Sequence, residues 1–297
     1  MNESFLVYHE PVFRPPSEAN SVILQVTHGC KWNKCTFCEM YASKHYSVKP
    51  LSTIKKEIRI LAEIHPSAKR LFIGDGDLFT VEFSLIMKIL DCIKKGLPTI
   101  QRISAYASSR ALAAYSLEQL EAMKDAGLDL LYIGLESGDD DVLKLMNKGT
   151  TAAQQAEACK AAKKAGIKIS VMILNGLGGK VYTQQHAINS AQLLNAIQPD
   201  ILALLVISFP YGYNHFQARV KGYFEPLSQL EMLKEMRLLL SHLELESTVF
   251  RSDHASNYLV FKGGLNRDKD KFIQQLDHII EHTIHVPSPH LNETREL

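Results

Sequence analysis

The chain has 297 residues, 46% hydrophobic and 22% charged, a balance that excludes a disordered or fibrous protein and allows one large core. Its 33 Lys and Arg against 32 Asp and Glu leave a net charge of +1, so no global field draws it to nucleic acid or to an anionic membrane. The amino terminus MNESFLVYHEPVF lacks a signal-peptide pattern, the longest apolar run (201–209) is too short to span a bilayer, and five cysteines, three of them within nine residues, suit metal binding in the reducing cytoplasm.

A short segment, 1–20, precedes the first strand pattern. From there, apolar β-branched runs alternate with helical patterns. Strands are expected over 21–29 (SVILQVTHG), 70–77 (RLFIGDGD), 102–109 (RISAYASS), 130–138 (LLYIGLESG), 168–178 (KISVMILNGLG) and 201–209 (ILALLVISF). The first helix, 52–65, carries Ile54, Ile58, Leu61 and Ile64 on one face with Ser52 as its N-cap. Further helices are expected over 82–95, 116–126, 151–165 and 183–197, with Gly96, Gly127 and Gly166 as stops. Such alternation implies a parallel sheet with right-handed crossovers. Six units fall short of the eight that close a barrel, so the expected fold is α/β, a three-quarter TIM-like (β/α)6 barrel over 21–225. The extension 226–297, with helices at 228–243 and 268–282 and a polar stretch at 251–261, is expected to cover the opening or form an interface.

Cys30, Cys35 and Cys38 follow the first strand in the loop GCKWNKCTFCEMY, at the strand ends where parallel α/β folds build active sites. Three thiolates can hold one corner of a [4Fe-4S] cube and leave its fourth iron open. The same cysteines with His28 or His45 could instead make a zinc site, or simply pack as free thiols, and on the cysteines alone all three readings stand open. At the second strand end, Gly74-Asp75-Gly76-Asp77 combines close-approach glycines with two acids. After the fourth strand comes GLESGDDDVLKLMNKG: Glu136 ends the strand, placed to accept hydrogen bonds from hydroxyls, while Asp139 to Asp141 begin a helix. Asn175 and Gly176 open a glycine-rich turn after the fifth strand, and Ser104 and Tyr106 share one face of the third. Cys92 and Cys159 read as packed thiols.

The cysteine loop resembles the signature of the radical S-adenosylmethionine (radical SAM) superfamily, with Phe37 at its aromatic position and one extra residue between Cys30 and Cys35. The segment around Glu136 resembles the branch that includes coproporphyrinogen dehydrogenases and methylthiotransferases. The resemblance, over about 21–209, implies that Cys30, Cys35 and Cys38 hold the cluster and that S-adenosylmethionine chelates the fourth iron. It implies that the turn Gly74, Asp75, Gly76 and Asp77 receives the ammonium group, through either Asp75 or Asp77, Glu136 the ribose, and Asn175 and Gly176 the methionine or adenine portion, with Phe37 and Ser104 beside them. The implied chemistry is reductive cleavage of S-adenosylmethionine to a 5′-deoxyadenosyl radical that abstracts hydrogen, in an oxygen-sensitive enzyme supplied by flavodoxin or ferredoxin. Tyr106, Asp253 and His254 are candidate catalytic groups. Asn257 and Tyr258 accompany them over the barrel mouth, with Tyr211, Tyr213 and His215 as a rim. A small molecule, peptide or tetrapyrrole is favoured over nucleic acid as substrate. Two alternatives remain: a haem- or metal-cofactor-trafficking protein on the same fold, and a zinc-binding barrel.

Overall fold

The computed structural model describes residues 6–282. Its parallel strands are β1 (Val22–Gln25), β4 (Arg70–Gly74), β5 (Arg102–Ala107), β6 (Leu128–Glu136), β7 (Lys168–Asn175) and β8 (Ile201–Val206). Between β1 and β4 lie β2 (Thr27–His28), β3 (Ser47–Val48) and α1 (Leu51–Ile64). The other crossovers are α2 (Phe83–Gly96), α3 (Ser109–Leu112), α4 (Leu117–Asp125), α5 (Asp140–Leu145), α6 (Ala152–Lys164) and α7 (Gly179–Ile197). Strand order β1-β4-β5-β6-β7-β8 follows the chain, as in a partial (β/α) barrel.

Each strand is buried on two faces for different reasons. Leu71, Ile73, Ile103, Ala105, Leu131, Ile133, Ile169 and Val171 pack outward against the helices in the main core. Phe72, Leu130 and Tyr132, with Tyr106 and Met172 beside them, form a separate cluster on the inner face, the barrel lumen. The lumen floor is closed by a 3-10 turn at Pro16–Glu18. There Glu18, fully buried, accepts from Arg102 Nη2 at 2.6 Å, from the Tyr132 hydroxyl at 2.7 Å, and from Ser21.

Ser116, Thr151 and Ser228, the first residues of their expected helices, are N-caps, each with a reciprocal Gln or Glu three positions on. Ser52 is not a cap: α1 begins one residue earlier, after Pro50, whose fixed φ suits a helix start. Gly127 and Gly166 take the left-handed conformation expected of stops, whereas Gly96 is the last helical residue.

Two features depart from the pattern. The first expected strand breaks at Val26, and β2 turns off to pair antiparallel with β3 through Thr27↔Val48 and His28↔Ser47. That ribbon closes the base of the cysteine loop. Beyond β8 the sheet continues: after α8 (Tyr213–Arg219) and α9 (Gln229–Ser241), β9 (Val249–Arg251) adds a further parallel strand, and β10 (Lys262–Gly264) turns back antiparallel before α10 (Leu265–Glu281). Three-residue strands are too short to carry a periodic signal, which is why only their polar character is visible in sequence.

Candidate active site

The cysteine loop is anchored at several points besides its ribbon. Thr36 N–H donates to the Met146 carbonyl at 2.9 Å, Arg219 Nη2 to the Cys35 carbonyl at 2.9 Å, and Arg219 also pairs with Glu39. Gly76 sets its distance from β4: a Cβ there would stand 2.7 Å from the Gly29 carbonyl and 3.1 Å from the Cys30 Cα, so only glycine permits this approach. Burial pushes the thiols of Cys35 and Cys38 up, the latter to about 12. A thiolate there needs a positive neighbour, and Lys148 supplies the nearest protein charge.

The two aspartates of the Gly-Asp-Gly-Asp turn part company. Asp77 spends both oxygens within the fold, accepting from Phe79 N–H at 3.0 Å and from the Ser108 hydroxyl at 2.5 Å. Asp75 is equally buried; its Oδ2 meets Lys44 Nζ at 2.7 Å, Gly29 N–H at 3.2 Å and Gln25 Nε2 at 3.4 Å, while Oδ1 has no aligned partner. Burial and then the charge of Asp75 push the neighbouring Tyr41 phenol well above its usual range.

Burial alone lifts the Asp77 carboxyl from 3.8 to about 6 against the pull of its two hydrogen bonds. The folded chain therefore binds this proton more tightly than the unfolded chain, and stability falls as pH rises from about 4 to about 6, by at most about 1.4 kcal/mol per unit. Asp77→Asn removes the charge and keeps an acceptor for Phe79 N–H, while its amide nitrogen meets the Ser108 hydroxyl as a donor. Melting curves at several pH values are expected to show the variant gaining on the parent through that window; a constant difference would contradict this account.

Glu136 ends β6 in a left-handed conformation (φ 68°), rare for a residue with a side chain, at a register slip between Gly134 and Glu136. Its carboxylate folds back over Gly134, where a Cβ would stand 2.0 Å from Oε1, and meets Lys148 Nζ at 3.0 Å. Burial opposes the charge on Lys148, but Glu136 and the two thiols outweigh it and hold the ammonium up. Lys148 also lies 5.8 Å over the Phe37 ring.

In the lumen, Tyr106 and Tyr132 share a register row, their rings 6.2 Å apart. Burial, then the charges of Tyr132, Asp75 and Glu18, drive the Tyr106 phenol far up, so it stays a hydrogen-bond donor. The next row toward the strand ends runs Gly134↔Met172↔Ala203↔Arg251, which turns Arg251 to the lumen face. Ser104 is fully buried with its hydroxyl on the Leu71 carbonyl at 3.5 Å.

The glycine-rich turn is held from the other side. Asn175 Nδ2 donates to the Met232 carbonyl at 2.9 Å, and Gly176 N–H to Glu235 Oε1 at 2.5 Å, both on α9. Tyr258 packs on the apolar cluster that also holds Phe37, Leu174 and Val206. Asn257 donates to the Leu204 carbonyl at 2.8 Å, Asp253 pairs with Lys262 at 3.0 Å, and half-buried His254 bonds Ser256 at 2.8 Å, its imidazole lowered by burial. His215 reaches Glu39 at 3.3 Å; Tyr213 bonds the Phe224 carbonyl at 2.8 Å, and Tyr211 stands exposed.

Sequence reading passed over Lys44 and Lys148, whose long basic side chains look solvated until a distant acid is placed beside them, and noted Arg251 only as the start of the polar stretch. Among the described residues, no three His, Cys, Asp or Glu side chains close around a single ion. Of the fourth donors in the zinc reading, His28 bonds Ser47 at 3.1 Å and stacks on His9, and His45 is exposed.

The chain is similar to the heme chaperone HemW of Bacillus subtilis (strain 168), 25% identical over 223 residues, which are 74% of this chain and 57% of HemW. It thus spans little more than half of that relative. Its fold resembles coproporphyrinogen III oxidase (HemN) of Escherichia coli, with TM-score 0.55 and 16% identity over 74% of this chain and 52% of that one. It also resembles methylornithine synthase (PylB), with TM-score 0.53 and 14% identity over 93% and 78%. The family model of the radical SAM superfamily matches residues 24–194, from within β1 to within α7. By that match this chain belongs to the radical SAM superfamily, a class of enzymes that use a [4Fe-4S] cluster with S-adenosylmethionine.

Proposed function

We propose that Cys30, Cys35 and Cys38 hold the cluster at the mouth of the barrel and that the chain acts by hydrogen abstraction on an anionic or polar substrate bound in the lumen. The residues fit such a group. Two half-buried thiols whose ionisation burial opposes need positive charge, and Asp75 Oδ1, beside the Tyr41 phenol, has spare acceptor capacity at the neighbouring strand end. When bound, the cluster and S-adenosylmethionine supply one-electron reductive cleavage to methionine and a 5′-deoxyadenosyl radical.

The chain's own groups bind and orient. Asp75 Oδ1 accepts from an ammonium; Asp77, both oxygens occupied, serves the turn instead. Lys148 presents a half-buried cation to a carboxylate, and the remaining oxygen of Glu136 accepts from ribose hydroxyls. Phe37, Leu174 and Tyr258 exclude water at the mouth, and Tyr106 and Arg251 offer donors to substrate below it. Asn175 and Gly176 act through backbone shape, since α9 takes the amide of one and the N–H of the other. His254 and Asp253 line the rim on the β9 side.

Buried Asp75 and half-buried Lys148, both set beside the cysteine loop, carry this reading. Anaerobic reconstitution tests it: iron and sulfide bound per chain, and 5′-deoxyadenosine formed with dithionite. Zinc in place of iron, or no deoxyadenosine, would defeat it. Similarity to HemW supports a second reading, haem binding without turnover, which haem titration beside the deoxyadenosine assay separates. Among the described residues no helix is long and apolar enough to cross a membrane.

A further inference from the structure

We propose that the basic pocket on the outer side of the cysteine loop is the docking site of a small acidic protein that carries single electrons. This rests on the cluster reading above. The pocket, of about 330 Å³, is lined by Lys34, Thr36, Lys144, Asn147, Arg219 and Lys221 among others, with no acid in its lining. Three exposed lysines, Lys34, Lys144 and Lys221, beside an Arg219 paired with Glu39, stand out in one concavity on a chain whose net charge is +1. The nearby acid, Glu39, is already taken by Arg219 and His215.

The basic surface continues onto Trp32, the single tryptophan of the chain. Arg110 lies 4.0 Å and Lys34 5.2 Å from its ring, and its indole N–H donates to the Asn147 carbonyl at 2.9 Å. A flat aromatic held among cations is a contact suited to a protein surface.

The floor of the pocket is the cysteine loop itself. Thr36 lies between two of the cysteines, and Arg219 holds the Cys35 carbonyl at 2.9 Å. A partner seated here meets the two loop neighbours of Cys35, Lys34 and Thr36, and the arginine that holds its carbonyl. None of the lumen groups Tyr106, Tyr132 and Arg251 lines this pocket, so docking leaves the substrate side free. One electron leaves the carrier, which is oxidised by one unit, and the cluster is reduced by one unit; no atom or proton moves. An acidic carrier also gains from steering, since opposite surface potentials raise association rates in a salt-dependent way. RNA would call for a broader basic face than a chain of net charge +1 provides.

The test uses cluster-loaded full chain, purified bacterial flavodoxin as the acidic carrier, and the triple variant K34E/K144E/K221E, with the matching Lys→Gln triple as a milder form. All three positions are exposed, so both variants are expected to melt with the parent. Calorimetry with oxidised flavodoxin at roughly 50 and 300 mM salt should show binding that weakens with salt in the parent. The Glu triple should weaken binding at least about tenfold and the Gln triple by less. Flavodoxin-driven deoxyadenosine formation should fall in parallel, while the dithionite-driven rate stays within about twofold of the parent. Unchanged flavodoxin affinity in the Glu triple overturns the proposal, as does a parent that binds a short RNA more tightly than flavodoxin through the same lysines. A parent that forms no deoxyadenosine with dithionite defeats the functional reading, and the calorimetry then still decides the surface.

Discussion

Cys35→Ala is expected to yield a folded protein that retains no iron–sulfur cluster and forms no detectable 5′-deoxyadenosine. The loop offers three thiols and no spare: among the described residues, Cys92 and Cys159 lie on α2 and α6, away from the loop. Two thiolates cannot replace three around a cube whose remaining iron must stay open. The fold should tolerate the change, because the loop's anchors are backbone groups. The Cys35 carbonyl still accepts from Arg219, Thr36 N–H still meets Met146, and the β2–β3 ribbon is untouched. Iron and sulfide analysis, a melting curve and the deoxyadenosine assay on one preparation decide the matter. An iron-replete, active variant would refute the assignment of this cysteine.

The second large effect falls on stability. Lys44 and Asp75 form an ion pair at 2.7 Å with both side chains wholly buried, and Lys44 also donates to the His9 carbonyl at 2.6 Å. Lys44→Met strands a carboxylate in the core, and breaking a buried pair this way costs about 3–5 kcal/mol. A melting point lower by about 10 °C is the corresponding shift for a chain of this size. Adding Asp75→Asn removes the orphaned charge and should return at least half of the loss. If Asp75 receives an ammonium as proposed, the double variant recovers stability without recovering deoxyadenosine formation. Equal melting points for parent and Lys44→Met would show that the carboxylate is not isolated in the way the geometry implies.

These two sites differ in how visible they are in the sequence. The cysteines announce themselves by spacing, and the apolar run that precedes them is enough to put them at the carboxyl end of a barrel strand. The main strands and helices are equally legible, since each repeats a period of two or of 3.6 over enough residues to be recognised. Ser116, Thr151 and Ser228 mark their helix starts for local reasons that survive folding.

What sequence does not carry is pairing over distance. Lys44 sits in ASKHYS and Lys148 in MNKG, contexts that look solvated; their partners are Asp75 and Glu136, brought there by β4 and by the slip at the end of β6. Asn175 stands at a strand end as expected, yet its amide goes to Met232 on a helix that no local pattern links to it. The choice between Asp75 and Asp77 likewise depends on Ser108, which arrives from the next strand and claims Asp77. Short elements such as β9 and α8 are hidden for a simpler reason: they contain too few residues for any period to show.

The ribbon that joins β2 to β3 has a consequence for survival in air. Its pairs Thr27↔Val48 and His28↔Ser47 fix both ends of the cysteine loop as part of folding, so the entropy of closing that loop is spent before any metal arrives. Small zinc-folded domains behave oppositely and collapse when stripped. Here, loss of the proposed cluster to oxygen is expected to leave a folded socket, open to renewed delivery of iron and sulfide.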